Sequence, residues 1–247
     1  MPETCVLIPV FNHERAVGAV VAAVRNHRLP CILVDDGSGP SCARTLDALA
    51  AADPGVQVLR LPGNLGKGGA VAAGLRAAAR QRFTHALQLD ADGQHDVRDL
   101  PAFLAASGKE PRAVICGRPV FGPDMPRSRF YGRYLTHVFV WLNTLSFDIR
   151  DAMCGFRVYP VAELVRLLDE ERPGSRMDFD IEVLVRLHWR GVPMRWLDTR
   201  VGYPQDGISH FRLGLDNLLI STMHLRLFLG MLRRLPRLVS RRLGMVH

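Results

Sequence analysis

The segment 90–95 (Asp-Ala-Asp-Gly-Gln-His) places two carboxylates one residue apart, directly after the short apolar run 85–89. Two carboxylates at a strand end can both reach one hard cation, and Mg²⁺ or Mn²⁺ commonly binds such oxygens together with substrate phosphates. Asp90 and Asp92 are therefore candidate ligands of a metal that takes up charge on a departing diphosphate. The alternative is a solvated turn whose aspartate caps the next helix, because Asp-x-Asp is a short pattern.

A second acidic pair, Asp35 and Asp36, ends the apolar run 31–34. Acidic residues at a strand end can accept hydrogen bonds from a base or a ribose. The same residues also suit a turn at 36–37 followed by a serine that caps a helix. The two roles are compatible with each other.

The glycine-rich segment 63–70 contains Lys67, one of only two lysines in the chain. It departs from the Walker phosphate loop, since no Ser or Thr follows Lys67, and from the dinucleotide glycine pattern. A lysine at a helix start opposes the helix dipole, so a bound anion is one explanation. A turn at the helix start whose glycines allow close packing is the other.

Short apolar runs alternate with helical segments through the first half of the chain. The runs lie at 5–11, 31–34, 56–61, 85–89 and 113–116. This alternation predicts β-α-β units, and hence an α/β fold with a mostly parallel sheet covered by helices on both faces. Ligands of such sheets bind outside the carboxyl ends of the strands, where the polar residues above fall, so one shared crevice is expected.

The second half is less regular, and its pattern predicts helices at 137–149, 161–171, 178–190 and 213–235. The third of these begins with Asp178, Asp180 and Glu182. Acidic residues are favoured at a helix N-terminus by the helix dipole, and we prefer that explanation to a second acidic site.

The composition excludes several protein classes. With 247 residues, 48% of them hydrophobic, the chain is neither intrinsically disordered, collagen-like nor a disulfide scaffold. Its five scattered cysteines suit core positions in a reducing compartment. Neither a transmembrane helix nor a signal peptide is predicted, so we expect a cytoplasmic protein.

Taken in order, the motifs resemble those of family 2 glycosyltransferases with the GT-A, Rossmann-like fold. The matching segments are 6–12 (Val-Leu-Ile-Pro-Val-Phe-Asn), 34–38 (Val-Asp-Asp-Gly-Ser), 64–68 (Asn-Leu-Gly-Lys-Gly) and 90–94. Further along, the segments 117–118, 127–129 and 151–157 resemble the polyprenyl-phosphate (dolichol-phosphate) sugar synthase branch. The resemblance covers residues 5–211, which we interpret as the glycosyltransferase domain 1–211.

The resemblance implies an inverting transfer of one sugar from a nucleoside-diphosphate sugar to a lipid-linked or membrane-associated acceptor, with Mg²⁺ or Mn²⁺. By position, the metal would bind Asp90 and Asp92. Phosphate and acceptor contacts would involve Arg118, Arg129 and Asp151. Donor-binding candidates are Pro9, Phe11, Glu14, Asp35, Asp36, Lys67, Gln94 and His210.

The sequence departs from the family pattern in two places. His13 separates Asn12 from Glu14 in the first motif. The segment 207–212 places His210 where the lipid-phosphate branch has a Lys or Arg, and this second departure leaves the acceptor open. An ionised lipid phosphate needs no general base to attack the sugar, whereas a hydroxyl does. Asp151 could be that base, or it could anchor a loop at a helix start.

The remaining residues, 212–247, form a basic extension with seven arginines and one aspartate. On a helical wheel Arg226, Arg233, Arg237 and Arg241 fall within about 80° of one another. This stripe suits either an interfacial helix on anionic lipid or a core-packing helix with a solvated face. If the helix is interfacial, the enzyme would be a peripheral protein on the inner face of the cytoplasmic membrane.

Two other functions are compatible with parts of the pattern. A nucleotidyltransferase also uses paired acids, but it requires a Gly-Gly-x-Gly-x-Arg loop on the first strand that the segment 9–12 does not supply. A non-catalytic module that binds membrane or nucleic acid through the basic tail would have no use for Asp90 and Asp92. We therefore favour the glycosyltransferase and expect no nucleic-acid partner.

Overall fold

The computed structural model describes residues 3–121, 127–202 and 213–242. The strands are β1 (Thr4–Val10), β2 (Cys31–Asp35), β3 (Val56–Arg60), β4 (His85–Gln88), β5 (Val114–Phe121), β6 (Arg157–Pro160) and β7 (Met194–Val201). The helices are α1 (Val17–Arg25), α2 (Pro40–Ala52), α3 (Lys67–Arg80), α4 (Leu100–Lys109), α5 (Arg127–Thr144), α6 (Val161–Glu170), α7 (Phe179–Trp189) and α8 (Leu213–Arg242).

All seven strands form one sheet in the order β3-β2-β1-β4-β6-β5-β7. Strand β6 is antiparallel to both of its neighbours, and every other pairing is parallel. The predicted mostly parallel α/β sheet is confirmed. Because six strands run the same way, their carboxyl ends share one edge, which we call the catalytic edge.

Apolar side chains fill both faces of the sheet. Successive residues of a strand point to opposite faces, and in β1 Leu7 joins one core cluster while Val6 and Ile8 join the other. Helices α3, α6, α7 and α8 cover the first face, and α1, α2 and α4 cover the second. The predicted two-sided helical cover is therefore confirmed.

Helix α8 is the predicted C-terminal helix, and it packs into the fold. Its buried side includes Met223, Leu227 and Met231, which belong to the same core cluster as α7. Arg226 donates to the buried carboxylate of Glu182 at 2.9 Å. The division of the chain at residue 211 stays a prediction.

Two arginines of the predicted stripe are engaged by the domain. Besides the contact of Arg226 with Glu182, Arg241 donates to the backbone carbonyls of His188 and Trp189 at 2.9 and 3.2 Å. These carbonyls lie at the C-terminal end of α7, where a cation is favoured. Arg226 nevertheless stays exposed, with 48% of its side chain accessible, whereas Arg241 is only partly exposed. The solvent- or lipid-facing role expected for the stripe stays a prediction.

Candidate active site

The carboxylate of Asp36, directly after β2, holds the turn that precedes α3. Its two oxygens accept hydrogen bonds from the backbone N–H groups of Leu65 and Gly66, at 2.6 and 2.9 Å. Burial raises the pKa of Asp36, although these two N–H groups oppose the rise. Gly66 has φ +88°, a conformation that glycine adopts without strain.

The carboxylate of Asp35, the last residue of β2, also holds neighbouring groups at this edge of the sheet. Its carboxylate accepts from the backbone N–H of Ser38 at 2.9 Å and from Nε of Arg60 at 2.9 Å. Burial opposes ionisation of Asp35, but these partners together lower its pKa. The predicted contacts of Asp35 and Asp36 with a base or ribose stay predictions. The hydrogen bonds agree with the predicted turn, but the predicted serine cap is wrong, because Gly39 precedes α2 and, among the described residues, no side chain caps that helix.

We expect Asp36→Ala to destabilise the protein as well as weaken donor binding. The substitution leaves two N–H donors of the turn without their acceptor, which costs about 2–4 kcal/mol of the free energy of unfolding. Urea denaturation measures the loss, and calorimetric titration of a nucleoside diphosphate measures donor affinity. Asp47→Ala, on the exposed face of α2, is the control; equal stability of the two variants would contradict the turn role.

Lys67, the first residue of α3, lies between two carboxylates. Its Nζ is 2.8 Å from Oδ1 of Asp90 and 3.0 Å from Oδ2 of Asp180, at the start of α7. Burial opposes the charge on Lys67, but the two carboxylates raise its pKa well above the usual range. The anion that the sequence suggested for Lys67 is therefore supplied in part by the protein itself.

Asp90 is the centre of this cluster. Burial would raise the pKa of Asp90, but Lys67, and after it His95, hold that pKa well below its usual range. Nε2 of His95 lies 3.5 Å from Oδ2 of Asp90. The backbone at Gly155 comes so close that an added Cβ would lie 2.7 Å from Oδ2 of Asp90, so a larger residue would displace this carboxylate.

The glycines after Lys67 serve packing. A Cβ on Gly68 would lie 2.3 Å from Cβ of Phe179, so only glycine lets the start of α3 approach α7 this closely. This approach is what brings Lys67 within reach of Asp180. The close-packing explanation of the glycine-rich segment is therefore supported.

Asp92 lies beyond Asp90 in a partly exposed turn. Its Oδ1 accepts from the backbone N–H of Gln94 at 3.0 Å, and the carbonyl of Gln94 accepts from the N–H of Gly202 after β7. Within 3–121, 127–202 and 213–242, no three His, Cys, Asp or Glu side chains are grouped so that they could hold a metal ion alone. A metal here would need ligands from a bound substrate, which is the usual situation for Mg²⁺ at phosphates.

The buried Asp151 is surrounded by donors. Arg133 of α5 donates to both of its oxygens, at 2.5 and 2.7 Å, and the backbone N–H groups of Met153 and Cys154 donate to Oδ1 at 2.9 and 2.7 Å. Burial would raise the pKa of Asp151, but the proximity of His137 and the pairing with Arg133 keep it well below the usual range. Of the two predicted roles, this environment favours the anchor of a loop.

The other predicted site residues are placed less centrally. Arg118 on β5 is half-exposed and forms a two-point ion pair with Asp198 of β7 at 2.5 and 2.7 Å. Oε2 of Glu14 is buried without a hydrogen-bond partner in the described part of the chain. Pro9 is the penultimate residue of β1, and Phe11 directly follows the strand.

Two predictions fall on parts of the chain that the structure does not describe. His210 lies outside the described residues. Arg129 lies in the first turn of α5, but its side chain is not described. Their predicted contacts with phosphate stay predictions.

Sequence reasoning missed Asp180 and Arg157 as parts of the site. Asp180 pairs with Lys67, and its Oδ1 accepts from the amide of Gln88 at 3.1 Å. The fully buried Arg157 donates to the backbone carbonyl of Asp180 at 2.7 Å and to that of Ala152 at 2.8 Å. The available signal was the acidic cluster 178–182, which the sequence analysis assigned to a helix N-terminus.

The sequence matches a known protein family. The family model for glycosyl transferase family 2 matches residues 5–164. An undecaprenyl-phosphate mannosyltransferase of Micrococcus luteus is 28% identical over 211 residues, covering 79% of this chain and 84% of the relative. A polyprenol monophosphomannose synthase of Mycolicibacterium smegmatis is 29% identical over 206 residues, covering 76% and 72%.

A solved structure shares the fold. It is the glucosyl-3-phosphoglycerate synthase of Mycobacterium tuberculosis in complex with Mn²⁺, uridine diphosphate and phosphoglyceric acid. The similarity covers 100% of this chain and 80% of the other, with a TM-score of 0.64 and 16% sequence identity. The predicted GT-A architecture is confirmed at the level of the fold.

Proposed function

The chain belongs to glycosyl transferase family 2, and from this premise we propose that it transfers one sugar, with inversion, from a nucleoside-diphosphate sugar to a polyprenyl-phosphate acceptor. Both relatives above are named for polyprenyl-phosphate sugar transfer, which supports this acceptor class. The nucleotidyltransferase alternative conflicts with the family assignment, and a purely binding module would not need the site described above.

The observation that carries the proposal is the cluster at the catalytic edge. Lys67 pairs with both Asp90 and Asp180, and the partly exposed Asp92 lies two residues after Asp90. The turn held by Asp36 borders the same edge. A donor diphosphate would be bound there, at the ends of parallel strands, as in other open α/β sheets.

A divalent cation fits this site as a partner shared with the donor. We propose Asp92 as its ligand, with Asp90 at the rear of the site, where Lys67 already balances its charge. When bound, such an ion supplies positive charge to the leaving diphosphate. The protein contributes the position of Asp90, which the ion pair with Lys67 and the close approach of Gly155 constrain.

The environment of Asp151 supports a phosphate acceptor rather than a hydroxyl. A carboxylate paired with Arg133 and held well below its usual pKa is a weak base. An ionised phosphate oxygen can attack the anomeric carbon while the nucleoside diphosphate departs, and no proton has to be removed. Asp151 would then position α5 against the loop 151–155 instead of taking a proton.

Thermal melting and a transfer assay test the proposal. Uridine and guanosine diphosphates with Mn²⁺ should raise the melting temperature, because a ligand that binds only the folded state stabilises it. Radiolabelled UDP- and GDP-sugars should label a short-chain polyprenyl phosphate but not the matching polyprenol. Transfer to the alcohol, or no shift with any nucleoside diphosphate, would contradict the proposal.

A further inference from the structure

Helices α5 and α8 carry most of the exposed large apolar side chains in the described part of the chain. Six such residues of α5 and seven of α8 are 39–68% exposed, among them Tyr134, Leu135, Leu218, Leu225 and Leu229. Outside these two helices the described residues expose only Leu65, Val120 and Phe147 in this way. We call this set on the two helices the α5–α8 apolar surface.

The two helices pack against each other, so their exposed sides belong to one region. The side chains of Asn143 and His224 approach to 3.4 Å, and the rings of Phe139 and His224 lie 5.1 Å apart. Each helix also has a buried side, which includes Val140 and Met223. The α5–α8 apolar surface is therefore additional to the apolar residues that the core needs.

The charges on these helices match an anionic partner. Helix α5 contains no Asp or Glu, and the single acid of α8, Asp216, is buried. Arg233 and Arg237 are exposed, and Arg237 also lines a cleft with Glu163 and Glu170 of α6. Apolar side chains mixed with arginines and free of exposed carboxylates are typical of helices that lie in the headgroup region of anionic membranes.

Neither α5 nor α8 fits a membrane-spanning helix. No helix among the described residues combines the length and hydropathy that a bilayer span requires. A helix with one packed side and one apolar side instead lies along the surface of the bilayer.

The α5–α8 apolar surface also adjoins the candidate active site. Strands β5 and β7 end at the catalytic edge, and the next helices along the chain are α5 and α8. Arg133 of α5 pairs with Asp151, and the loop 151–155 contacts Asp90 through Gly155. A bilayer against this surface would lie beside the candidate active site, where a lipid phosphate would meet the donor.

We propose that the α5–α8 apolar surface docks the enzyme on an anionic bilayer, with leucines and aromatic residues buried in the headgroup region. The inference rests on the lipid acceptor of the proposed function. It differs from the stripe of arginines expected from sequence, because buried apolar area is not screened by salt. Part of the binding should therefore survive high salt.

Flotation of the full chain with vesicles tests this docking, using phosphatidylcholine with and without phosphatidylglycerol at low and high salt. The triple variant Leu225→Gln, Leu229→Gln, Leu232→Gln should lower vesicle partitioning about a hundredfold at both salt concentrations. The matched variant Arg233→Gln, Arg237→Gln should lower it about tenfold at low salt and hardly at high salt. Arg234 is left unchanged because its guanidinium stacks on Trp189.

Three outcomes would overturn the inference. Wild-type binding could disappear entirely at high salt, which would assign it to the arginines. Binding could be absent from every vesicle, or light scattering could show a dimer that the triple leucine variant dissociates, which would make a second copy the occupant. The vesicles contain no acceptor, so hydrolysis of a soluble donor tests the proposed function separately, and melting temperatures verify that the variants fold.

Discussion

Asp92→Ala should abolish sugar transfer while leaving the fold intact. If Asp92 is the carboxylate that holds the cation at the donor diphosphate, its loss removes several kcal/mol of leaving-group stabilisation. Because about 1.4 kcal/mol corresponds to a factor of ten, the rate should fall at least about a thousandfold. The fold should survive because, among the described residues, the Asp92 side chain accepts one hydrogen bond, from the backbone N–H of Gln94 to Oδ1, within a partly exposed turn.

The measurement is transfer from the best nucleotide sugar in saturating Mg²⁺ or Mn²⁺, together with circular dichroism. Asp47→Ala is the control, since Asp47 is an exposed aspartate of α2 whose described bond is to Arg60. A variant at Asp92 with the wild-type rate in excess metal would remove that residue from the proposed metal site. A loss of rate together with unfolding would instead assign it a structural role.

The first half of the fold could be predicted from sequence because short, largely apolar segments alternate there with helical patterns. Strands β1 and β2 are buried on both faces and consist mainly of apolar residues, whereas the four-residue β4 also contains the buried His85 and Gln88. Strands β6 and β7 could not be predicted in this way. Strand β6 has four residues including a buried arginine and a proline. Strand β7 lies at the edge of the sheet and contains charged residues between apolar ones.

The start of α5 was also missed, since the predicted helix began at residue 137 and the observed one begins at Arg127. Its first turns are rich in arginine and aromatic residues, which carry no clear helical period. One of those arginines, Arg133, is explained only by the tertiary structure, because its partner Asp151 lies 18 residues away. A sequence pattern does not show such a pairing.

The location of the site could be predicted from the sequence, but the ion pairs within it could not. The positions of Asp36 and Asp90 at strand ends followed from the alternation of apolar runs and helices. The ion pairs of Lys67 depend on how closely α3 approaches α7, which the contact of Gly68 with Phe179 determines. From sequence alone, the acidic residues 178–182 are therefore typical of a helix N-terminus. Only the packing of α3 against α7 shows that Asp180 pairs with Lys67.

The second large effect is expected at Asp151, and it concerns stability. Asp151→Ala leaves the partly buried guanidinium of Arg133 without its carboxylate and removes the acceptor of two backbone N–H groups. Removing one partner of a buried ion pair costs about 3–5 kcal/mol of the free energy of unfolding. Asp198→Ala is the matched control, since Asp198 forms the same two-point pair with Arg118 at an exposed site, where such pairs contribute little.

The pH dependence separates an anchoring Asp151 from a catalytic base. A carboxylate whose pKa is lower in the folded state contributes stability above its unfolded pKa of about 4, and this contribution is lost as the pH falls towards the folded value. The wild type should therefore lose stability on acidification through this range more steeply than Asp151→Asn, as urea midpoints measured from neutral pH downwards would show. A general base needs a pKa raised towards the operating pH, so in that case Asp151→Asn would lose turnover at every pH and would not make the acid loss of stability shallower.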